Sequence, residues 1–394
     1  MPYHFDEIIN RKGTNAIKWE DEFLIHIFGS EGLLPLWVAD MDFRCPDEVV
    51  TAVTERAQHG IYGYSDADHA FYDILAQWAL KRNQWHVESP WMVFVPGVVP
   101  AINYALQAFC EPGDEVIIQS PVYQMFEDVI KVQNMKLVNN ALKYEAGKYV
   151  VDFEDLEEKA ASSKAKILIL CNPHNPVGRV WTMEELQKIG QICLKHNVFV
   201  ISDEIHSDLI LEGHKHIPFG SISDEFLMNS MTCISPTKTF NLAGLQISVS
   251  LFKDEAKKKR FKEVLHECAV MHPNPFGIVA WKSAYEHGET WLEELLKYIQ
   301  GNFDYMHMFI QREMPIIKMV KPEGTYLAWL DFKGLKMDHK TLSNWLRKDL
   351  KLAMGDGFTY GPGGEGFVRV NVACSRNILT EALNRIKEGV ASLA

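Results

Sequence analysis

The sequence predicts an α/β protein: a large domain built on a mainly parallel central sheet covered by helices, joined to a smaller α+β domain. Two observations carry this. Short runs rich in Val, Ile and Leu, apolar on both faces, alternate with helical patterns through the middle of the chain. Strands of that kind belong to sheets packed on both sides. After about residue 285 the texture changes to long helical patterns followed by two isolated strand-like runs.

Taken in order, Met92-Val93-Phe94-Val95 is a strand. Pro96-Gly97-Val98-Val99 is a turn leading into a helix from about Pro100 to Phe109. Glu115–Gln119 and Lys166–Leu170 are the next strands. Thr182-Met183-Glu184-Glu185 has the spacing of a capping box, in which Thr and Glu each satisfy a free N–H of the first turn. It opens an amphipathic helix to about His196. Asn197–Ile201, Thr232–Ile234 and Gln246–Ser250 continue the sheet. Further on, Thr325–Phe332 and Phe367–Val372 read as half-exposed strands, and a helix from about Asn377 to Leu393 closes the chain. The expected division is 48–287 for the large domain, with 1–47 and 288–394 forming the small one. Ligands of such sheets sit beyond the carboxyl ends of the strands. Asn172, Asp203 and Lys238 each lie just past a strand end, so they are expected to converge on one crevice.

Composition narrows the function classes. The chain has 394 residues, 47% hydrophobic and 23% charged, which is ordinary for a globular protein. Its net charge of -12 speaks against a nucleic-acid or anionic-membrane partner. The seven cysteines form no Cys-x-x-Cys pair, and an odd number argues against a disulfide framework. No apolar run is long enough to span a bilayer, and Met1-Pro2-Tyr3-His4-Phe5-Asp6 lacks the basic and apolar parts of a signal peptide. A cytoplasmic location is the expectation. There is no Gly-x-Gly-x-x-Gly dinucleotide fingerprint. His214 and His216 flank Lys215 in what reads as a solvated loop, and no metal site is suggested.

The chemistry concentrates around Lys238, in Ile234-Ser235-Pro236-Thr237-Lys238-Thr239-Phe240. A lysine there suits an aldehyde cofactor held as a Schiff base, with hydroxyls nearby for a phosphate. Pyridoxal 5'-phosphate (PLP) needs such a lysine and an acid that keeps its ring nitrogen protonated. Asp203, in Ser202-Asp203-Glu204-Ile205-His206, is the candidate acid. Alone, each residue has an ordinary reading: Lys238 a surface lysine, Asp203 a helix cap, Tyr123 a core tyrosine, Asn175 a turn residue, Arg369 a strand arginine paired with a surface acid.

The order of segments changes that reading. Val38-Ala39-Asp40-Met41-Asp42-Phe43, Cys171-Asn172-Pro173-His174-Asn175-Pro176-Val177-Gly178-Arg179-Val180-Trp181, Ser202-Asp203-Glu204-Ile205-His206, Lys238-Thr239-Phe240-Asn241 and Gly324-Thr325-Tyr326 follow one another. This resembles the fold-type I PLP enzymes of the aminotransferase class I/II group, and within it the cystathionine β-lyase or cystalysin-like C–S lyase branch. The resemblance covers essentially the whole chain.

It implies a role for each residue. Lys238 would carry PLP and then act as general base on the substrate Cα–H. Asp203 would pair with the pyridine N–H. Asn175 would bond the phenolic oxygen, Tyr123 would stack on the ring, and His206 would pack near it. Gly97 and the N–H groups of Val98 and Val99 would cup the phosphate, with Ser235 adding its hydroxyl. Tyr64, in Tyr62-Gly63-Tyr64, would reach the phosphate of a neighbouring subunit, making an obligate homodimer with shared sites. Lys238, Tyr64 and Tyr123 are thus the catalytic candidates. Arg369 would clamp the substrate α-carboxylate, with Val38, Ala39 and Asn175 beside it. One departure stands out: Gln246 occupies the position, eight after the lysine, where many aminotransferases carry a phosphate-binding arginine. The implied reaction is α,β-elimination from cystathionine, cysteine or a related sulfur amino acid. The alternatives are an aminotransferase, which shares the first proton abstraction, and a regulatory binding protein on the same fold.

Overall fold

Seven strands build the central sheet: β1 (Met92–Val95), β2 (Glu115–Ile118), β3 (Lys136–Asn139), β4 (Ala165–Cys171), β5 (Phe199–Asp203), β6 (Ser230–Ile234) and β7 (Ser248–Leu251). The computed structural model describes residues 3–393. Met1, Pro2 and Ala394, which bound the expected domain ranges and open the segment read for a signal peptide, lie outside the described residues. The spatial order is β1-β7-β6-β5-β4-β2-β3. Neighbours from β6 to β3 run parallel, and β7 is antiparallel to both β6 and β1. The strand interiors are buried, as continuous apolar runs require, except for the partly exposed β3 at one edge.

Register does the positioning. Cys171 of β4 lies opposite Asp203 of β5, and Asp203 lies opposite Cys233 of β6. Three adjacent strands therefore end level with one another. The segments that follow them, 172–175, 204–206 and 235–238, emerge side by side.

The flanking helices form largely where the pattern puts them. The capping box at Thr182 and Glu185 is complete, and its helix spans Met183–Lys195. The helix after Gly97 begins at Val98 and runs to Phe109, two residues earlier than expected. Pro100 is tolerated in its first turn, where a backbone N–H has no intrahelical partner to lose.

A second, antiparallel sheet consists of β8 (Lys318–Met319), β9 (Leu327–Asp331), β10 (Gly355–Asp356) and β11 (Phe367–Asn371), in the order β8-β9-β11-β10. The expectation that β9 and β11 are half-exposed is wrong: both are buried except for the partly exposed Asp331. Leu330, Val368 and Val370 join the core with the helices Glu289–Glu313 and Arg376–Ala391. On the other face Phe367 stacks on Trp329, with ring centroids 5.1 Å apart, and both join Tyr149 in another apolar cluster. Strand alternation puts Arg369 and Asn371 on the same face as Phe367.

The amino-terminal segment is tied into this second unit. Leu34 and Pro35 pair in parallel with Leu352 and Ala353. The N–H of Asn371 bonds the carbonyl of Leu36 at 2.9 Å, and that of Asp42 bonds Ala373 at 2.9 Å. Residues 37–42 are thereby laid across the ends of the central strands.

Candidate active site

A cavity of about 340 Å³ lies at those strand ends. Its wall brings together Lys238, Asp203, Asn175, Tyr123, His206, Arg369, Val38, Ala39, Gly97, Val98 and Val99. Trp37, Gln124, Ile205 and Thr237 also line it, and none of the four was singled out by sequence reasoning.

Lys238 sits on the short helix Pro236–Thr239, capped by Ser235. The Ser235 hydroxyl accepts from the Thr237 N–H at 3.2 Å and donates to the Ile247 carbonyl at 2.6 Å. Ser235 is thus engaged in holding the turn, and Thr237, not Ser235, borders the cavity. The Lys238 ammonium donates to the Ala39 carbonyl at 2.5 Å, and the Tyr326 hydroxyl donates to the same oxygen at 2.8 Å. Burial pulls the lysine down to about 8; Arg369 adds to this, while Asp40 and Asp203 oppose it. Thr325, just before Tyr326, holds φ at +68° although it is β-branched. Such a conformation costs about 1–3 kcal/mol and marks a backbone fixed by its surroundings.

Asp203 is buried, and burial pushes its carboxyl up to about 7. The charge of Glu204 adds to the rise, while the Ile205 N–H, 3.1 Å from Oδ1, and Lys238 oppose it. Burial brings His206 down to about 3, helped by the positive charges of Lys238 and Arg369, so it is neutral. Its Nδ1 has no partner among the described residues.

Arg369 reaches in from β11. Nη1 donates to Asn175 Oδ1 at 3.2 Å and Nη2 to the Trp37 carbonyl at 2.6 Å. Its guanidinium carbon lies 5.1 Å from the centroid of the Tyr360 ring. Buried Nε has no partner among the described residues. Asn371, two residues on, donates to the carbonyls of Val38 at 2.7 Å and Asp40 at 2.5 Å. Below this segment, Asp42 takes Arg11 at 2.8 Å, Lys18 at 2.7 Å and the Trp19 indole N–H at 2.7 Å, while Asp40 takes Arg11 at 2.6 Å.

The helix Val98–Phe109 points its amino end at the cavity. The N–H groups of its first turn lack intrahelical acceptors and carry partial positive charge, which suits an anion. Gln246 lines the same cavity and brings no cation.

Tyr64 is outside this cavity. It is 100% exposed, beside His272, on a separate surface cleft that also contains Met271 and Pro273. His216 is the plainest correction. It was expected in a solvated loop, yet it is 2% exposed, with Nε2 2.9 Å from buried Glu204. Nothing in its polar local sequence signals a partner twelve residues upstream.

The geometry defines an α/β enzyme site with a buried lysine, a buried carboxylate and an anion-ready helix end. The sequence matches the description "aminotransferase class I and II" over residues 31–386, and the chain belongs to that family. It is 43% identical to cystathionine beta-lyase PatB of Bacillus subtilis, over 98% of this chain and 100% of that protein. The structure is similar to that of cystalysin from Treponema denticola, which contains a pyridoxal 5'-phosphate cofactor: TM-score 0.97 and 35% identity, covering all of both chains. It is also similar to the PLP-bound C-S lyase of Staphylococcus hominis, with TM-score 0.92 and 32% identity, covering 99% of this chain and 98% of that one.

Proposed function

We propose that the protein is a PLP-dependent carbon–sulfur β-lyase that converts cystathionine, cysteine or a related sulfur amino acid to a thiol or hydrogen sulfide, pyruvate and ammonia. The observation that carries this is the meeting of Lys238, Asp203, Asn175 and Arg369 on one cavity, in a chain so similar to a cystathionine β-lyase. The donor set fits PLP. His206 Nδ1 and Arg369 Nε, without partners among the described residues, belong to side chains that border a space also holding an amine, a carboxylate and a helix amino end. When bound, PLP supplies an aldehyde that links to amines and a ring that takes up the electron pair left by α-proton removal.

The protein's residues do the rest. Lys238 holds the cofactor at Nζ and, once released, takes the substrate α-proton at the same atom; an amine pulled down to about 8 is an effective base near neutral pH. Asp203 shares the ring-nitrogen proton, and its buried setting keeps that proton from water. Asn175 and Tyr123 orient the ring, the N–H groups of Val98 and Val99 bind the phosphate, and neutral His206 packs beside them. Arg369 offers parallel donors to the substrate carboxylate, and the segment from Trp37 to Ala39 closes that side. Loss of the β-sulfur as thiol, followed by hydrolysis, completes the reaction: cystathionine and water give homocysteine, pyruvate and ammonia.

Tyr64, exposed in its own chain, reaches the phosphate of a second copy, so the working form is a homodimer with shared sites. The unit 48–287 forms the cofactor domain, and 1–47 with 288–394 the smaller one. The test is direct. Purified protein incubated with cystathionine and no added keto acid should release pyruvate and homocysteine in equal amounts. Strict dependence on a keto acid, without thiol release, refutes the lyase and favours transamination.

A further inference from the structure

Two donors share one carbonyl oxygen at the cavity wall. The Lys238 amine donates to the Ala39 carbonyl at 2.5 Å, and the Tyr326 hydroxyl donates to the same oxygen at 2.8 Å. A carbonyl only accepts, so both directions are fixed by chemistry, and the two lone pairs of the oxygen are in use. Among the described residues neither donor has another hydrogen-bond partner. Ala39 lines the cavity, whereas Tyr326 is 0% exposed and is not part of its wall. The Tyr326 ring stands edge-on to His206, with centroids 5.9 Å apart and planes at 77°. Its backbone is held from two sides: the Thr325 N–H bonds the Leu209 carbonyl at 2.7 Å, and the Val372 N–H bonds the Tyr326 carbonyl at 2.9 Å. The segment that carries Ala39 has its own anchors. Arg369 takes the Trp37 carbonyl, Asn371 takes those of Val38 and Asp40, and Asn241 takes both the N–H and the carbonyl of Met41 at 3.0 Å each. The distinct contribution of the Tyr326 hydroxyl is therefore to the Ala39 oxygen itself.

We propose that Tyr326 is a positioning residue for Lys238: its hydroxyl keeps the Ala39 oxygen bonded when the lysine nitrogen leaves, so that the amine moves easily between this resting place and the cofactor. Lys238 can hold PLP, or turn to the substrate, only by giving up its one hydrogen bond. Without a second donor, that move would leave the Ala39 oxygen unmet, and an unmet polar group opposes the move. With Tyr326 in place the oxygen loses one partner of two. The hydroxyl also weakens the resting bond, because two donors on one acceptor draw on the same oxygen and their positive ends repel. Both effects act in the same direction, toward a lysine that is placed but not trapped. The residue acts entirely through the Ala39 carbonyl and touches neither substrate nor cofactor space.

The inference rests on the reading of Lys238 as the residue that holds PLP. Tyr326→Phe tests it by removing the hydroxyl and keeping the ring against His206. PLP titrated into the full chain freed of cofactor should bind about tenfold more weakly to the variant, the loss expected when one hydrogen bond is left unmade. An affinity within about twofold of wild type overturns the proposal. A second readout has a sign that structural damage would not give. In the cofactor-free chain, proton–nitrogen NMR of the lysine side chains detects buried ammonium groups, and Lys238→Ala identifies the signal of Lys238. With its competitor gone, this ammonium should be bound more tightly and exchange its hydrogens with water more slowly in Tyr326→Phe. Unchanged exchange, or the faster exchange of a loosened site, overturns the proposal. Should Tyr326→Phe fail to fold, wild type decides: the Tyr326 hydroxyl proton must stay protected from exchange both before and after PLP is added, and its loss on PLP binding overturns the idea. Failure of wild type to bind PLP would sink the functional reading, while the lysine exchange would still decide by itself whether the two donors compete for the Ala39 oxygen.

Discussion

Removing Arg369 is the perturbation with the most calculable outcome. Two of its N–H groups are committed, one to Asn175 Oδ1 and one to the Trp37 carbonyl. Its Nε–H is buried without a partner among the described residues. A substrate carboxylate at this wall can therefore take Nε–H and a remaining terminal N–H in parallel. Hydrogen bonds to charged groups contribute about 1.5–3 kcal/mol each. Losing two costs roughly 3–6 kcal/mol, or about 10²–10⁴ in kcat/KM at about 1.4 kcal/mol per decade. Most of this should appear in KM, because the α-carboxylate keeps its charge from bound substrate to transition state. Arg369→Lys retains charge and loses the fork, so about 10–10² is expected. A second effect has a definite sign. Arg369 holds the Lys238 amine down, so Arg369→Ala should let it rise and move formation of the free amine to higher pH. The assay is steady-state pyruvate release from cystathionine across pH, with thermal unfolding as the control for folding. A variant with kcat/KM within about threefold of wild type and an unchanged KM would refute the clamp.

Three further outcomes follow from the same geometry. Asp203 binds its proton more tightly in the folded chain, up to about 7, than in the unfolded one; its stabilising contribution is therefore full below the ordinary carboxylate range and is lost as pH rises through about 7. Urea unfolding of cofactor-free protein should show wild type losing stability relative to Asp203→Asn between about pH 4 and 7, by up to about 1.4 kcal/mol per pH unit, and parallel profiles would contradict the raised carboxyl. Thr182→Ala removes the side chain that accepts the Glu185 N–H at 3.2 Å, and should cost about 1 kcal/mol in the same assay while leaving turnover unchanged. Tyr64→Ala and Lys238→Ala, each inactive alone, should recover about a quarter of wild-type activity when unfolded together and refolded as a one-to-one mixture, because half the dimers are mixed and each has one intact site. No recovery, with mixed dimers demonstrated, would end the shared-site reading.

What the sequence made legible follows the range of the interactions. β4, β5 and β6 are short apolar runs whose period shows in any window, and the Thr182 capping box is complete within four residues. Asn172, Asp203 and Lys238 were recognisable as neighbours because each lies at or just past a strand end, and sheet register did the rest, whereas Asn175 came only with the family resemblance. β3 and the hairpin Lys143–Glu145 with Lys148–Val150 were missed. They are very short, only partly buried or exposed apart from Tyr149, and interrupted by Lys, Asn and Glu, so no apolar period marks them. β9 and β11 were identified as strands, yet their burial was misjudged, since Trp329 against Phe367 is a cross-strand fact that neither segment contains alone. Trp37 and Gln124 show the same limit at the cavity: nothing local separates a wall residue from a core one.

The wall from Trp37 to Asp42 shows why the remaining part of the site is a long-range product. Its carbonyls are aimed by Arg369, Asn371, Tyr326, Lys238 and Asn241, all more than 190 positions away along the chain. Its carboxylates, Asp40 and Asp42, are in turn held by Arg11 and Lys18. Lys18 is 1% exposed, and a buried lysine is expensive unless paired. Replacing such a pair with well-packed apolar residues is often neutral or better for stability, so stability alone is a weak reason for these charges. Geometry is a stronger one. An apolar plug would fill the same volume without setting the rotation of the 40–42 backbone, whereas bonds to two acids on either side of Met41 fix it. That rotation aims the Ala39 carbonyl at Lys238 and keeps the charge of Asp40 near the amine, where it opposes the effect of burial. Arg11 and Lys18 therefore help to place the Asp40 charge that opposes burial at Lys238, although both stand far from that lysine along the chain.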